Sequence, residues 1–487
     1  MEARTRHFVI YADEKPEELQ AFAGRLERFD QAVRKVRGMT DPPLTKANLV
    51  TIYVTRNVDG IVGLAGGYGV LGFYISRASG SVAFVPRKAG VKNDPFDIDA
   101  DTIFFHEYAH HLQLQYAELA LPTWVSEGFA EFFARTRFAG DGTVTIGTPP
   151  GYRGFGLKWA SDLTINELVG GDTELTDIEV EQLYGWGWLL THYLTFTPER
   201  RGQLEQYIAK IQKGSTPLEA AGVFGDLKVL NRELNKYMRQ STLPALVLNG
   251  ADLSPGEISL RALPEGQARM MRTRMRAKAS PSERMARDIA SDARGAAAPY
   301  PRDPVVQSVL AEAEFDAGNF EGASAAASRA LEADPHSLAA LVVKGRAETE
   351  LARRNPASAN WTAIGNWFVL ANKEDAEAAD PLLQFYRSYE AAGVPATPNA
   401  VRGLLYAVAL APQDNELRIT AVRQLVADSR FKDATRLFAP FAFEPHSKES
   451  IKQSAKRVTG ALAKNDGPGA AKELEKLQVE IEKARRS

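Results

Sequence analysis

The 487-residue chain contains no cysteine, which removes disulfides, thiolate nucleophiles and cysteine-ligated metals at once. Any metal must therefore be held by histidine, carboxylate or carbonyl groups. Histidine itself is scarce, with seven in the whole chain. Neither sign of charge dominates: 59 Lys and Arg face 61 Asp and Glu, a net charge of -2. That balance supplies no overall basic field to draw the chain onto phosphate backbones or anionic lipid, so no nucleic-acid partner is expected. Long apolar runs are missing as well. The longest uncharged one, around Val62 to Ile75, is interrupted by Gly63, Gly66, Gly67, Gly69 and Gly72 and falls short of the roughly 20 residues a membrane helix needs. No transmembrane segment is expected. The opening Met1-Glu-Ala-Arg-Thr-Arg-His-Phe8 lacks the apolar core of a signal peptide. That fits either a cytoplasmic protein or an exported one whose leader is not included in this sequence.

What is present is ordinary globular material. Hydrophobic residues make up 44% and charged residues 25%, with 23 Phe and 15 Tyr, enough apolar surface to exclude wholesale disorder. At roughly 150 residues per domain the length implies about three domains, or two and a repeat tract. The chain opens as strand, helix, strand: residues 7–12, an amphipathic helix over Glu17 to Val36, and the β-branched run Asn48 to Thr55. Val70 to Ser76 and Ser81 to Pro86, split by Arg77-Ala-Ser-Gly80, predict a hairpin. A helix capped by Asp99 or Asp101 follows, through about Tyr116, then a second from Pro122 to about Phe138. From about 150 to 241 the pattern is mostly helical, with Ile178 to Phe196 the most apolar segment, ended by Thr197-Pro198. Short β-like pieces in 243–271, notably Glu257 to Arg261, and a basic stretch over Arg269 to Lys278 suggest a connector with a solvated cationic face.

After about residue 300 the spacing changes. Gly318-Asn-Phe320, Ala323, Ala330-Leu331, Asp334-Pro335, Ala340, Gly345 and Ala347 alternate small and large residues as in tetratricopeptide helical hairpins. Pro412 and Pro445 are 33 residues apart with Phe431 and Ala434 between them, close to the 34-residue period of that repeat. The spacing lapses over 353–400. A repeat-type α-helical region over 281–487 is expected, with a protein partner by analogy only.

The sharpest feature is His106-Glu107-Tyr-Ala-His110. On a helix advancing about 100° per residue, His106 and His110 point within about 40° of each other one turn apart, so both imidazoles can reach one tetrahedral ion. Glu107 lies beside them, turned toward a water on that ion. His111 lies about 140° round from His106 and is not expected to ligate. Further on stands Trp124-Val-Ser-Glu127-Gly-Phe-Ala-Glu131. Glu127 and Glu131 are again one turn apart, on a mostly apolar helix where two inward carboxylates are costly to bury unless a cation or donor meets them. Zinc for Glu127 and an imidazole N–H for Glu131 would meet that cost.

H-E-x-x-H followed by W-x-x-E-G-x-A-E resembles the gluzincin zinc metallopeptidases, most closely the bacterial peptidase MA-like domains, over roughly residues 5–240. The resemblance implies an α+β fold with a mixed α/β lobe carrying the His motif over 1–145 and a helical lobe over 146–242; the short β-like pieces and the repeat spacing add a connector with short strands over 243–280 and the helical repeats over 281–487. The resemblance implies zinc ligands His106, His110 and Glu127, with Glu107 as general base, and makes Glu131 the acid that orients a ligand histidine. It also favours an exported, periplasmic protein. The G-x-M-E-N segment of the aminopeptidase branch is absent; the corresponding strand reads Gly69-Val-Leu-Gly-Phe-Tyr-Ile75. Endopeptidase action on a peptide or protein substrate is therefore expected.

Such a reaction needs a donor for the oxyanion formed at the scissile carbonyl. Tyr184-Gly-Trp-Gly-Trp-Leu-Leu-Thr-His192 is the place to look. Gly185 and Gly187 permit close packing against the active helix, the one that carries His106 and His110, while Tyr184 projects, and Tyr184 matches the tyrosine that serves this role in related gluzincins. His192 is the alternative donor. The hairpin strands Phe73 to Ser76 or Val82 to Val85 can hold an extended substrate by main-chain pairing. The competing function is a catalytically weak or inactive metallopeptidase-like scaffold that works through its C-terminal repeats.

Overall fold

The structure, a computed structural model, describes residues 1–41, 49–65, 70–90, 94, 96–116, 121–158, 163–170, 175–442 and 448–486. Asn48 and Gly69, each part of an expected strand, lie outside the described residues, as do Gly66 and Gly67.

Period-two alternation builds a six-stranded mixed sheet with two buried faces. Its strands are β1 (Glu2–Arg4), β2 (Phe8–Tyr11), β3 (Val50–Thr55), β4 (Phe73–Ile75), β5 (Val82–Pro86) and, from far down the chain, β9 (Ser259–Arg261), in the order β4-β5-β3-β2-β1-β9. The centre, β2, β3 and β5, is parallel, while β4, β1 and β9 pair antiparallel. Phe8, Ile10, Val50, Ile52, Ala83 and Val85 face one core. The residues between them, Val9, Tyr11, Tyr53, Val82 and Phe84, face another, as the alternation of side chains along a strand requires.

The first face is covered by helix Pro16–Arg37, which starts on a proline and two acidic residues, ends at Gly38 in the left-handed region (φ 63°), and buries Leu19, Leu26, Phe29 and Val33. Beside it on the same face runs the histidine helix, Ala100–Tyr116, whose Phe104, Phe105 and Tyr108 join the same core. Asp99 accepts from the Thr102 N–H at its start. The glutamate helix, Thr123–Ala134, packs next to it. It stops four residues before the expected Phe138, because Arg137–Phe138 is strand β6, pairing with β7 (Val144–Ile146) and through it with β8 (Leu246–Leu248).

Helix Asp177–Phe196 begins on a capping box of Thr176 and Glu179 and packs against the glutamate helix through glycine. A Cβ added at Gly128 would sit 2.3 Å from the Gly187 carbonyl oxygen, so no other residue allows this approach. The close partner of Gly187 is thus the glutamate helix rather than the histidine helix, while Gly185 lies against Leu157 and Gly156.

Residues 243–280 contain the expected short strands, and both are members of the sheets just described. The basic stretch after them is not wholly solvated. In helix Glu265–Lys278, Met271 and Met275 cover the second sheet face, and Arg274 lies over the Tyr11 ring and donates to its hydroxyl at 3.1 Å. The methionines sit on this helix at the i, i+4 spacing that places them on one face.

The C-terminal region is helical throughout its described residues, from Glu283–Ala297 to Gly467–Arg486, including the stretch 353–400 where repeat spacing lapses. Consecutive helices pack on one another. This region encloses the β4–β5 hairpin tip. Ala78 is buried among Ala379, Leu383, Leu410 and Leu417, and its N–H donates to Asp414 Oδ2 at 2.5 Å. Gln413 donates to Ser81 Oγ at 3.4 Å, and Arg77 donates to Ser280 Oγ at 2.7 Å. A cavity of about 800 Å³ separates Tyr74 to Ser79 from side chains as distant in sequence as Glu312 and Ile481. No helix among the described residues is long and apolar enough to cross a membrane.

Candidate metal centre

His106 and His110 lie on one face of the histidine helix with Nε2 atoms 3.2 Å apart. The glutamate helix brings Glu127 across to them, its Oε2 3.5 Å from His106 Nε2 and 3.4 Å from His110 Nε2. Around an ion with metal–ligand distances of 2.0–2.1 Å, tetrahedral geometry makes each ligand–ligand edge about 3.3–3.4 Å. The three donors therefore already stand near the spacing a tetrahedral zinc requires. Two imidazole nitrogens and one carboxylate are also the donor set zinc accepts in sites that leave a fourth position open. Glu127 is fully buried on a mostly apolar helix, a position that favours a cationic partner.

The other ring nitrogens are engaged by acceptors, which fixes Nε2 as the inward atom. His106 Nδ1 lies 3.4 Å from Glu131 Oε1. His110 Nδ1 lies 3.4 Å from Gln113 Oε1 and 3.3 Å from Ser126 Oγ, which itself donates to Gln113 at 3.0 Å. Burial works against a charge on His106, but hydrogen bonds and charge from Glu127 and Glu131 outweigh it and raise its pKa to about 10. The proton it holds stands among the same donors that face the metal position.

Glu131 is anchored from outside the two helices. Tyr152 donates to its Oε2 at 2.7 Å, and Arg153 reaches Oε1 through Nη2 at 2.7 Å and Nε at 3.0 Å. Burial alone would raise the Glu131 carboxyl, yet Arg153, His106 and Tyr152 bring it down to about 2. Tyr152 and Arg153 form a short 3-10 turn, followed by Gly156, where an added Cβ would lie 2.2 Å from the Glu181 carbonyl. Sequence reading missed both residues, since Gly151-Tyr-Arg153 carries no spacing signal of its own.

Glu107 is half-buried next to His106 on the same helix. Tyr184 has its ring 6.0 Å from that of His106 and lies under the Arg153 guanidinium at 4.3 Å. Burial, then the charges of Glu127, Glu131 and Glu107, push its phenol well above the ordinary range. It is therefore a neutral O–H donor near the cluster. His192 belongs elsewhere. It is buried between Trp188 and Phe196, with Nδ1 3.0 Å from the Tyr237 hydroxyl and Nε2 3.0 Å from the Pro244 carbonyl. Burial brings its pKa down to about 4, so it is a core histidine.

His111 points away from the cluster and is fully buried. Its ring stacks on Tyr108, and Nδ1 meets the Tyr74 hydroxyl at 2.6 Å. Among the described residues, His106, His110 and Glu127 are the one group of three or more His, Cys, Asp or Glu able to share an ion. No family model matches the chain, and no curated protein matches it.

Proposed function

We propose that the chain is a zinc-dependent peptidase of the gluzincin, peptidase MA-like type, acting as an endopeptidase, with a tetratricopeptide-like helical region attached. The observation that carries this reading is the near-tetrahedral spacing of His106, His110 and Glu127 with Glu107 one residue from a ligand. Zinc held by those three would supply a water of near-neutral pKa and polarise a peptide carbonyl. Glu107 is the group suited to accept the proton of the attacking water and return it to the leaving amine. Tyr184, kept as a neutral phenol, is suited to donate a hydrogen bond to the developing oxyanion. Glu131, held by Tyr152 and Arg153, keeps His106 oriented and basic.

The substrate side is supported by the sheet. Strand β4 lies at the sheet edge, with pairing capacity on one side, while β5 is paired on both. Of the two strands weighed from sequence, Phe73 to Ser76 is thus the one able to take an extended peptide by main-chain pairing.

The test uses two substitutions that spare the ligands. Glu107→Gln keeps size and hydrogen bonding but cannot take a proton, so one zinc per chain is retained while hydrolysis of a mixed peptide library falls by roughly 10² or more. Tyr184→Phe lowers turnover roughly 10- to 10³-fold with the metal intact. Zinc-replete wild-type protein that cleaves nothing in the library would support the scaffold function instead.

A further inference from the structure

The edge strand β4 runs along the histidine helix. A Cβ added at Gly72, just before the strand, would lie 2.6 Å from Ile103 Cγ2, and the Tyr74 hydroxyl lies 2.6 Å from His111 Nδ1. Ile103 and His111 both belong to that helix, and Glu107 stands four residues from each. At about 100° per residue, the bearing of Glu107 falls midway between theirs, while His106 and His110 lie about 100° and 60° to one side of it. The strand therefore passes the candidate metal centre on the Glu107 side, and a chain paired along it would pass the same group.

At its C-terminal end the strand opens into the helical region. Tyr74, Ile75 and Ser76 line the cavity of about 800 Å³, whose far wall includes side chains of helix Gly467–Arg486. The hairpin tip that follows is tied to the same region through Ala78 and Asp414 and through Ser81 and Gln413, which fixes the strand against that wall. Aliphatic side chains such as Ile75, Leu383 and Ile419 alternate there with both signs of charge, among them Glu312, Asp380 and Arg346. No single small ligand complements such a lining, whereas a chain of mixed side chains finds partners along it. A cavity of about 150 Å³ holds benzene, so this one has room for roughly five groups of that size, a segment of about five residues. A folded domain does not fit.

We infer that this cavity receives an extended, unstructured polypeptide segment continuing from the edge strand, so that the helical region forms one wall of the substrate path. The main chain of the segment pairs with β4, and its next residues, about five, fill the cavity. Length and lack of structure are what this path selects, rather than one particular side chain. Its use in hydrolysis rests on the peptidase reading, but the binding itself needs no metal.

The test uses the full chain with a chelator present, so that nothing is hydrolysed, and fluorescein-labelled unstructured peptides of four and twelve residues, the longer one in two scrambled sequences. Fluorescence anisotropy should show affinity rising roughly tenfold or more from the short peptide to the long one, with the scrambled pair within about threefold of each other. Two substitutions fill the cavity from opposite walls. Ser79→Trp does so from the exposed hairpin tip, and Gln384→Trp from a half-buried position on the helical region, where the glutamine amide donates to Asp380 one turn back. Each should weaken the long peptide roughly tenfold or more and leave the short one unchanged; if one variant fails to fold, the other decides. With zinc restored, kcat/KM should rise as residues are added on one side of the cleaved bond, level off after about five, and lose that rise in both variants. The inference is overturned if no peptide binds, or if the folded variants bind the long peptide as wild type does. It is equally overturned if the chain is a dimer that these substitutions split, the result of a second copy filling the cavity. The expected binding pattern without hydrolysis by zinc-loaded protein would leave the cavity assignment standing and remove the peptidase reading. Hydrolysis without length dependence, and with both substitutions silent, would do the reverse.

Discussion

The Tyr74 hydroxyl lies 2.6 Å from Nδ1 of His111, joining the edge strand β4 to the histidine helix one residue past His110. The same hydroxyl donates to Ser81 at 2.7 Å, and Ser81 in turn accepts from Gln413 of the helical region. Burial, Arg34 and His7 hold the His111 pKa down to about 3, so the ring is neutral at any working pH. The contact sets the spacing between the edge strand and the candidate metal centre without being a ligand contact itself.

Removing the support of His106 is expected to weaken the metal site without abolishing it. Glu131→Gln, and Arg153→Met acting through Glu131, each lower zinc affinity roughly 10- to 100-fold. His106→Ala, His110→Ala and Glu127→Ala lose the metal, and His111→Ala does not. Competition with a chromophoric chelator measures all six; full affinity in Glu131→Gln would show that its carboxylate does not orient His106.

Gly128→Ala is expected to destabilise the fold by about 1–3 kcal/mol, the usual range for forcing extra volume into a packed interface. The methyl must displace the Gly187 carbonyl, 2.3 Å away, and so spread the glutamate helix from helix Asp177–Phe196. Glu127 sits next to Gly128, so zinc affinity falls along with the urea midpoint. A midpoint equal to wild type would mean the two helices slide apart freely.

Asp414 is expected to hold the hairpin tip. Its Oδ1 accepts from the Leu417 N–H as a helix cap, while Oδ2 takes the Ala78 N–H. Asp414→Ser keeps a capping oxygen but is too short to span both. The buried Ala78 N–H is then left without its acceptor, at about 1–3 kcal/mol. Trypsin, which cuts after arginine, reports on it: cleavage after Arg77 should rise in Asp414→Ser. Unchanged resistance would mean that the apolar packing of Ala78 alone secures the tip.

Acid should loosen the outer edge of the sheet. Glu2 is fully buried and accepts from Arg261 at 2.6 and 2.8 Å and from Arg4 at 2.6 Å. Burial would raise its carboxyl, but the two guanidinium groups bring it from 4.5 to about 2. The folded value is the lower one, so its contribution is complete above about pH 4.5 and is lost as the pH falls from there toward 2. Glu2→Gln removes this titration, and its urea midpoint should fall less steeply than that of wild type between pH 5 and 2.5. Parallel slopes would exclude the linkage.

Periodic features were legible in the sequence. Helix Pro16–Arg37 differs from its expected span by one residue at each end, and the hairpin and histidine helix stand where alternation and capping predicted. The i, i+4 spacing of His106 and His110, and of Glu127 and Glu131, was enough to foresee which side chains would share a face. Features that depend on a partner remote in sequence were not legible. Glu2–Arg4 is a strand only because Phe8–Tyr11 and Ser259–Arg261 flank it. Arg153 reads as an ordinary basic residue until a tight turn places it on Glu131. His192 stands in the same helix as Tyr184 and carries the same chemical promise, but two turns of helix carry it to the Tyr237 and Pro244 side. The basic run Arg269 to Lys278 hides a buried member, Arg274, because its partner Tyr11 lies at the other end of the domain.

The pairing of β1 with β9 has a consequence for biosynthesis. Translation proceeds from the N-terminus at about 5–20 residues per second, so the wait between the emergence of Arg4 and that of Arg261 is roughly 13–50 s. Throughout that interval β1 can join β2 but has no neighbour on its other side, and an unpaired strand edge is a template for unwanted pairing with other chains. The nascent protein meets this hazard with Glu2 and Arg4, whose charges are poorly suited to a sticky edge and which later serve Arg261 and the finished sheet. A ribosome stalled before residue 259 would therefore present a sheet still open on that side, with every candidate zinc ligand already made.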